Sequence, residues 1–290
     1  MSAAQLRCAG RTLDLGAAVV MGVLNVTPDS FSDGGQFIEP DVAVARAERM
    51  AEEGAAIVDI GGESTRPGAV GVPSDEEIRR VLPLVERIAR RLPLLISVDT
   101  SNPELMRRAG AAGAHLINDV RALRAPQALE AAAAGELGIC LMHMQGEPAD
   151  MQLDPRYGDV VAEVRAYLSD RLLACESAGI ASERVCVDPG FGFGKSTAHN
   201  LRLLQELPAL ASLGRPLCVG LSRKSLVAAL TGRPLAGRLA GSVAIATVAV
   251  LQGARIVRAH DVAATVDAVR VANVMCAAPA AAAAGTMTRI

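Results

Sequence analysis

Residues 94–118 read LLISVDTSNPELMRRAGAAGAHLIN, and this stretch contains one copy of the unit from which the fold is built. A short apolar run ends at Asp99, and Asn102-Pro103 then marks a helix start, because Asn caps helices and Pro fits their first position. A helical pattern leads into a second apolar run, which ends at Asn118. The segment therefore predicts a strand, a helix and a strand, with a polar residue after each strand.

The same unit recurs along the chain, which contains eight short apolar runs that stop on polar residues. Continuous apolarity is expected when both faces of a parallel strand are covered. Eight such strands separated by helices predict an α/β fold, a single (β/α)8 TIM barrel, whose active site lies at the C-terminal ends of the strands. The predicted strands cover residues 18–24, 55–60, 94–98, 114–117, 138–142, 184–187, 216–221 and 254–259. The polar residues on which the apolar runs stop are Asn25, Asp59, Asp99, Asn118, His143, Asp188, Ser222 and His260.

The two ends of the chain differ from this pattern. Polarity alternates around Ala9-Gly10, which predicts an N-terminal β-hairpin within residues 1–16 that covers the bottom of the barrel. The barrel with its hairpin is predicted to be one domain, residues 1–276. The Ala-rich tail, residues 277–290, is expected to be disordered.

The helical patterns between the strands carry their own start signals. Ser74, with Glu77 three residues later, has the spacing of a capping box and predicts that Ser74 caps its helix. A further helix-like run follows Ser225. The other predicted helices cover residues 41–53, 74–91, 103–112, 127–134, 160–178, 200–207, 239–252 and 262–276.

The composition argues against several classes of protein. With 29 Lys and Arg against 31 Asp and Glu, the net charge is -2, and no basic block suggests a nucleic-acid surface. The N-terminus lacks a secretory signal, and no apolar run has membrane-spanning length. The six cysteines form no C-x-x-C pair, which favours reduced thiols. We therefore expect a cytoplasmic protein that binds neither nucleic acid nor membrane.

Two loops near the start of the barrel carry polar motifs. The segment NVTPDSFSDGG, which begins at Asn25, is long enough to act as a lid, although an ordinary turn-rich connection has the same composition. The second predicted strand ends in VDIGGESTRPG, where Arg66 supplies a planar cation. That guanidinium could bind an anionic ligand group or simply pair with Glu63.

Asp99, Asn118 and Asp188 follow three different predicted strands, and a barrel brings them to one mouth. A carboxylate accepts two hydrogen bonds side by side, and an amide both donates and accepts. This set matches the edge of an aminopyrimidinone ring. Helix capping is the alternative role for each of them. Because the three lie on separate strands, we favour ring binding.

The segment DPGFGFGKS, residues 188–196, looks like a phosphate-binding loop but does not satisfy that motif. The pattern G-x-x-x-x-G-K-[ST] would need Gly where Pro189 stands. The segment instead predicts a flexible loop in which Phe193 or Phe191 lies against a flat ligand.

Positive groups follow the last two predicted strands. Lys224 and Ser225 come just before a helix-like run, where a carboxylate could bind, although Lys224 could equally be solvated. Arg258 and His260 are two residues apart on a strand and therefore point the same way. Together with Arg66 they predict a pocket for a diphosphate, because one guanidinium group can donate two parallel hydrogen bonds to phosphate oxygens.

Eight motifs in this order resemble the dihydropteroate synthase family over about residues 22–271. The motifs are NVTPDSFSDGG, VDIGGESTRPGA, SVDT, NDV, LMHMQG, DPGFGFGK, GLSRKS and RAHDV. The resemblance implies a TIM barrel, usually a homodimer, that joins p-aminobenzoate to 6-hydroxymethyl-7,8-dihydropterin diphosphate in folate biosynthesis. The products would be pyrophosphate and 7,8-dihydropteroate, and sulfonamides would compete with p-aminobenzoate.

The resemblance also implies roles for individual residues. The pterin ring would be held by Asp99, Asn118, Met142, Asp188, Phe193 and Lys224. The diphosphate would be held by Asn25, Arg66, Arg258 and His260, with Asn25 as the protein ligand of Mg²⁺. The p-aminobenzoate pocket would contain Thr65, Pro67 and Ser225, and mobile loops carrying Phe31, Asp33 and Arg66 would order over the substrates. The groups that would act in catalysis are Asp99, Asp188, Lys224, Arg258 and His260.

Two other functions are compatible with this sequence. A pterin-dependent methyltransferase domain would also bind a pterin in a barrel, but a methyl donor has no diphosphate for Arg258 and His260 to bind. A catalytically silent paralogue could bind pterin or act as a partner protein while keeping every motif residue. Complementation of a folate-auxotrophic strain would separate a working synthase from the silent paralogue.

Overall fold

The structure is a computed structural model that describes residues 5–26, 40–64, 71–147 and 150–282. These residues contain ten β-strands: β1 (Gln5–Cys8), β2 (Arg11–Asp14), β3 (Val19–Asn25), β4 (Ile57–Gly61), β5 (Leu95–Asp99), β6 (Leu116–Asp119), β7 (Gly138–Met142), β8 (Val185–Asp188), β9 (Cys218–Gly220) and β10 (Ile256–Ala259). They also contain nine α-helices: α1 (Pro40–Glu52), α2 (Ser74–Arg91), α3 (Pro103–Ala112), α4 (Ala128–Ala133), α5 (Val160–Ser177), α6 (Thr197–Gln205), α7 (Ser225–Thr231), α8 (Leu239–Leu251) and α9 (Val262–Ala282). In this part of the chain, no helix is both long enough and apolar enough to span a lipid bilayer.

Strands β3 to β10 form one parallel sheet that closes into a barrel. Their order is β8-β7-β6-β5-β4-β3-β10-β9, and a parallel bridge between Val187 and Leu217 joins the two outer strands of that order. The helices lie between successive strands in sequence, as a right-handed parallel barrel requires. The predicted (β/α)8 TIM barrel is confirmed. Seven of the eight predicted strands differ from the observed ones by one or two residues at an end. Of the predicted polar stops, Asn25, Asp99 and Asp188 are the last residues of their strands, and the other five lie within two residues of a strand end.

Alternate residues of each strand point to opposite faces, and the two faces have different partners. Outward residues such as Val58, Val98 and Ile139 belong to the large core shared with the helices. Inward residues near the start of the strands form a separate cluster, which we call the lower layer. It consists of Met21, Ile57, Leu95, Leu116, Cys140, Cys186, Cys218 and Ile256. Its three cysteines are buried and free, as the sequence predicts.

The N-terminal hairpin closes the bottom of the barrel. Strands β1 and β2 are antiparallel around Ala9-Gly10, and Leu6 and Cys8 pack into the lower layer. The approach is so close that a Cβ on Gly138 would lie 2.9 Å from the Cys8 sulfur atom. The predicted hairpin and its position are therefore confirmed.

Two predicted helix starts have different outcomes. Asn102 caps α3 as predicted, because its side-chain oxygen accepts hydrogen bonds from the backbone N–H groups of Glu104 and Leu105. The capping box at Ser74 is wrong. Pro73 occupies the cap position without a side-chain bond, and the Glu77 side chain turns inward, where its Oε2 accepts a hydrogen bond from Asn102.

Two other helices differ from their predicted bounds. Helix α6 starts at Thr197, three residues before the predicted 200, because Ser196 and His199 form a capping box there. Helix α9 continues to Ala282, six residues beyond the predicted 276, in keeping with the high helix propensity of alanine. The residues after 282 lie outside the described part of the chain.

Candidate active site at the C-terminal end of the barrel

Above the lower layer, inward residues become polar, and we call this set the upper layer. Asp59, Asn118, Asp188 and Arg258 each lie two residues after a member of the lower layer, and Asp99 lies four residues after one. The carboxyl groups and the amide are all buried. The same strands thus carry apolar side chains below and polar side chains at the mouth, which is the position of active sites in this architecture.

Arg258 connects the polar groups of three strands. Its Nε donates to Asp59 Oδ2 at 2.6 Å, and its Nη2 donates to Asp99 Oδ2 at 2.7 Å. Asn118 Nδ2 also donates to Asp59 Oδ2, at 3.2 Å. Arg258, which the sequence assigns to the diphosphate, therefore lies in direct contact with Asp99, which the sequence assigns to the pterin.

The electrostatics around Asp99 follow from this crowding. Burial raises the pKa of Asp99 to about 7, Arg258 opposes the shift, and the negative charge of Asp59 adds to it. For Arg258, burial lowers the pKa, but the charges of Asp59 and Asp99 outweigh burial and raise it above its ordinary value. Asp99 can therefore change its charge near neutral pH, whereas Arg258 stays a cation.

Asp188 and Lys224 form the other side of the site. Asp188 Oδ1 accepts a hydrogen bond from the backbone N–H of Gly190 at 2.7 Å. Burial raises the pKa of Asp188 while Lys224 opposes the shift, and burial lowers the pKa of Lys224 to about 8 while Asp188 opposes it. Lys224 Nζ donates to the carbonyl oxygen of Phe191 and lies 4.6 Å from the centroid of the Phe193 ring.

The loop after β8 presents only one of its two aromatic rings to the site. Phe191 is almost fully buried in the helix-facing core, whereas Phe193 packs on the cluster that contains Met142 and Met144. This resolves the alternative left open by the sequence in favour of Phe193. It also places Met142 and Phe193 together, as the resemblance implies.

That loop is held in place by Lys195, a residue to which the sequence gave no role. Its buried Nζ contacts His143 Nδ1 at 2.9 Å, and it donates to the carbonyl oxygens of Gly190 at 2.9 Å and Phe193 at 3.0 Å. Burial lowers the pKa of His143 to about 3, so that this ring is neutral and accepts the hydrogen bond. The expectation of a flexible loop overlooked this anchor, because contacts with the preceding loop cannot be seen in the motif.

The remaining predicted residues lie around the mouth. His260 follows β10, and its Nδ1 lies 3.2 Å from Ser222 Oγ. Ser225 is exposed at the first position of α7. Asn25 ends β3, and a Cβ placed on Gly61 of β4 would lie 3.4 Å from Asn25 Oδ1 and 3.7 Å from Asp99 Oδ2. Asn25 therefore reaches the same part of the rim as Asp99.

Several predicted positions fall in segments that the structure does not describe. Their assignments stay predictions, and they are Phe31, Asp33, Thr65, Arg66 and Pro67.

The sequence placed Asp59 among the polar residues at the strand ends but gave it no individual role in the site. It ends an apolar run just as Asp99 does, and that signal was available. What the sequence could not show is that its carboxylate contacts both Arg258 and Asn118.

Among the described residues, no group of three or more His, Cys, Asp or Glu side chains could hold a metal ion. Asn25 offers one neutral oxygen at the rim. A divalent ion at this point would need most of its ligands from a bound diphosphate and water, which Mg²⁺ commonly accepts.

Comparison with known proteins decides the family. The model of the family described as "Pterin binding enzyme" matches residues 21–260. Dihydropteroate synthase of Escherichia coli K12 is 53% identical over 262 residues, which cover 90% of this chain and 93% of that protein. The chain belongs to the dihydropteroate synthase family of pterin-binding enzymes.

Solved structures agree with this family membership. A Yersinia pestis dihydropteroate synthase with a sulfonamide drug complex has a TM-score of 0.91 and 49% identity, covering 94% of this chain and 99% of that one. A Xanthomonas albilineans dihydropteroate synthase in complex with 7,8-dihydropteroate has a TM-score of 0.85 and 51% identity, again covering 94% and 99%. The family members thus share the whole barrel with this chain.

Proposed function

We propose that this protein is a transferase of folate biosynthesis. It condenses 6-hydroxymethyl-7,8-dihydropterin diphosphate with p-aminobenzoate and releases pyrophosphate and 7,8-dihydropteroate. The observation that carries the proposal is the upper layer, where Arg258 contacts Asp99 directly and so joins the acceptors for a ring to the cations for its diphosphate. Family membership and the product bound to the Xanthomonas relative support the same reaction.

The pterin would lie with its ring edge on Asp99, Asn118 and Asp188. Ionised carboxylates accept hydrogen bonds from the ring amine and the neighbouring ring N–H groups. Lys224 would donate to a ring carbonyl or nitrogen. Met142 and Phe193 would cover one face of the ring.

The diphosphate arm would point toward Arg258 and His260, with Arg66 added from its loop. Mg²⁺, bound through Asn25 and the diphosphate oxygens, would neutralise charge on the leaving group. Arg258 and His260 would hold the phosphate oxygens, since guanidinium and imidazolium groups form charge-assisted hydrogen bonds with them. These groups together favour departure of pyrophosphate from the exocyclic CH₂ carbon.

The bond to pyrophosphate would break before the new bond forms. Asp99 and Asp188 would stabilise the positive charge that develops on the pterin. The amine of p-aminobenzoate then attacks the CH₂ carbon, and the nitrogen gives its extra proton to water. A strong general base is not needed, because an aniline nitrogen is already neutral at pH 7.

The p-aminobenzoate carboxylate would bind at Ser225, at the first position of α7. Thr65 and Pro67 would form the rest of this pocket. Sulfonamides would compete here, as the sulfonamide bound to the Yersinia relative suggests. A substitution at Ser225 should therefore alter the affinity for p-aminobenzoate and for sulfonamides more than the affinity for the pterin.

Pyrophosphate release is the direct test. The purified protein should turn over with both substrates and Mg²⁺, and no turnover with both substrates present would refute the proposal and leave the silent paralogue and the methyltransferase domain. In calorimetry, EDTA should abolish tight binding of the pterin diphosphate. Unchanged affinity in EDTA would contradict the role of Asn25 and Mg²⁺.

We also propose that the protein works as a homodimer. Helix α8 contains no charged residue, and it packs against α9. The exposed large apolar side chains on and around α7, α8 and α9 are Leu230, Leu235, Leu239, Val248, Leu251, Val271, Val274 and Met275. A surface of this kind is typical of protein interfaces. Sedimentation should give a dimer, and Val248→Lys should shift it to a monomer, while the control Leu153→Lys, which puts the same charge on an exposed leucine outside this surface, should not.

A cytoplasmic location is the remaining part of the proposal. All six cysteines are free thiols, including Cys276, which is exposed. Free thiols persist in a reducing compartment. Fractionation of cells that produce the protein should find it with cytoplasmic markers.

A further inference from the structure

Asp59 is the most completely buried carboxylate of the upper layer, with no exposed surface. A single oxygen, Oδ2, accepts from Arg258 Nε at 2.6 Å and from Asn118 Nδ2 at 3.2 Å. Strand β4, which carries Asp59, is neighbour to β3 and β5, whereas its two partners lie on β10 and β6. The two contacts therefore reach across the inside of the barrel to residues two strands away on either side.

Stability gives no reason for a carboxylate at this point. A buried charge loses its hydration, and replacing buried ion pairs by apolar side chains often leaves stability unchanged or improves it. The other oxygen of Asp59, Oδ1, is buried and makes no hydrogen bond with any described residue. An unsatisfied buried acceptor costs stability and calls for another explanation.

We propose that Asp59 is a positioning residue of the pterin-diphosphate subsite, and that its carboxylate fixes Arg258, which would hold the diphosphate, and Asn118, which would hold the ring. The inference rests on the function proposed above and deepens it. Asn118 donates to Asp59, which leaves its amide oxygen oriented for a donor on the ring. Arg258 donates to both Asp59 and Asp99, so its positive charge is divided between the two carboxylates.

The isosteric variant Asp59→Asn separates positioning from packing. It keeps the volume of the side chain, and its single oxygen could still take the place of Oδ2, but the negative charge that strengthens the hydrogen bonds from Arg258 and Asn118 is lost. Arg258 should then turn toward Asp99, and the Asn118 amide should lose its fixed orientation. Asp59 would not touch the substrate, so the effect should appear through these two residues.

The experiment measures kcat and both KM values by pyrophosphate release on the full chain. For Asp59→Asn we expect the KM for the pterin diphosphate to rise about tenfold, the size expected for lost hydrogen bonds to charged groups, with the KM for p-aminobenzoate within about twofold. A general structural defect would not affect one substrate alone. If the Asn variant does not fold, Asp59→Ser, which is smaller and uncharged, should give the same selective change.

Ser97→Ala is the matched control. Ser97 pairs with Asp59 in the register of β4 and β5, and it is equally buried. Its Oγ also lacks a hydrogen-bond partner among the described residues, so it is bonded neither to Arg258 nor to Asn118. Its KM values should stay at the wild-type level. Absence of turnover by the wild-type protein would refute the proposed function. Wild-type turnover together with an unchanged KM for the pterin diphosphate in the Asp59 variants, or an equal rise in both KM values, would overturn the positioning role alone.

Discussion

Cys186 and Asp188 lie two residues apart on β8, and both point into the barrel, yet their surroundings are opposite. Cys186 belongs to the lower layer, among aliphatic side chains and other thiols, where burial contributes to the raised pKa of its thiol. Asp188 belongs to the upper layer, next to Lys224 and a backbone N–H donor. One step along the inward face of a strand therefore separates a residue that serves folding from one that serves chemistry.

The same contrast is present on other strands. Ile57 lies below Asp59, Leu116 below Asn118 and Ile256 below Arg258. The lower layer excludes water and is closed by the hairpin, so it stabilises the barrel by burial of apolar surface. The buried charges of the upper layer reduce that stability. The two layers can therefore be separated by mutation, and the predictions below do so.

The largest expected effect is on turnover in Asp188→Asn. The amide cannot supply a charged acceptor for the ring or a partner for Lys224, and kcat/KM for the pterin diphosphate should fall about a hundredfold. Pyrophosphate release measures it. Cys186→Ala, two residues below, is the control and should keep turnover per folded molecule within about twofold. Equal turnover by Asp188→Asn and the wild type would remove Asp188 from the site.

A change in the lower layer should lower stability and leave substrate binding by the folded enzyme unchanged. Ile57→Ala leaves a cavity under Asp59 and should lower the free energy of unfolding by about 3 kcal/mol. Denaturant titration measures this loss, while KM values of the folded enzyme should not change. Ile57→Val, which removes one methylene group, should cost only about 1 kcal/mol. A large rise in KM without loss of stability would contradict the division into two layers.

The upper layer should also respond to pH. Burial raises the pKa of Asp99 to about 7, with Arg258 opposing and Asp59 adding to the shift. A carboxyl with a raised pKa loses its charge below that value, and a neutral Asp99 is a weaker acceptor for the ring. The kcat/KM for the pterin diphosphate should therefore fall about fivefold from pH 7 to pH 6. A flat profile between pH 8 and pH 6, with the fold intact by circular dichroism, would count against this role.

The smallest expected effect lies outside both layers, at the start of α3. Asn102→Ala removes the side-chain acceptor for two backbone N–H groups and should lower the free energy of unfolding by about 1 kcal/mol without changing turnover. Ser74→Ala is the comparison, because Ser74 does not cap α2 and loses only the hydrogen bond that its Oγ accepts from Asn102 Nδ2, so its loss of stability should be smaller. A greater loss of stability in the Ser74 variant would reverse our assignment of the two caps.

The sequence was informative about features set by neighbours along the chain. The strand–helix rhythm predicted the barrel, the alternation around Ala9-Gly10 predicted the hairpin, and Asn102-Pro103 predicted a cap. The polar stops marked Asp99, Asn118 and Asp188, because a polar residue at the end of an apolar run has no packing role there. The capping box at Ser74 failed because Glu77 is drawn into contact with Asn102, which lies in a different helix–strand unit.

What the sequence determined by itself was the fold and the set of polar residues at the barrel mouth, since both depend on the period of apolar residues within short segments. Only the tertiary structure decided how those residues pair. It joined Arg258 to Asp59 and Asp99 across the interior, selected Phe193 over Phe191, and anchored their loop through Lys195. These contacts join side chains far apart in the chain, and closure of the barrel sets their distances and charges.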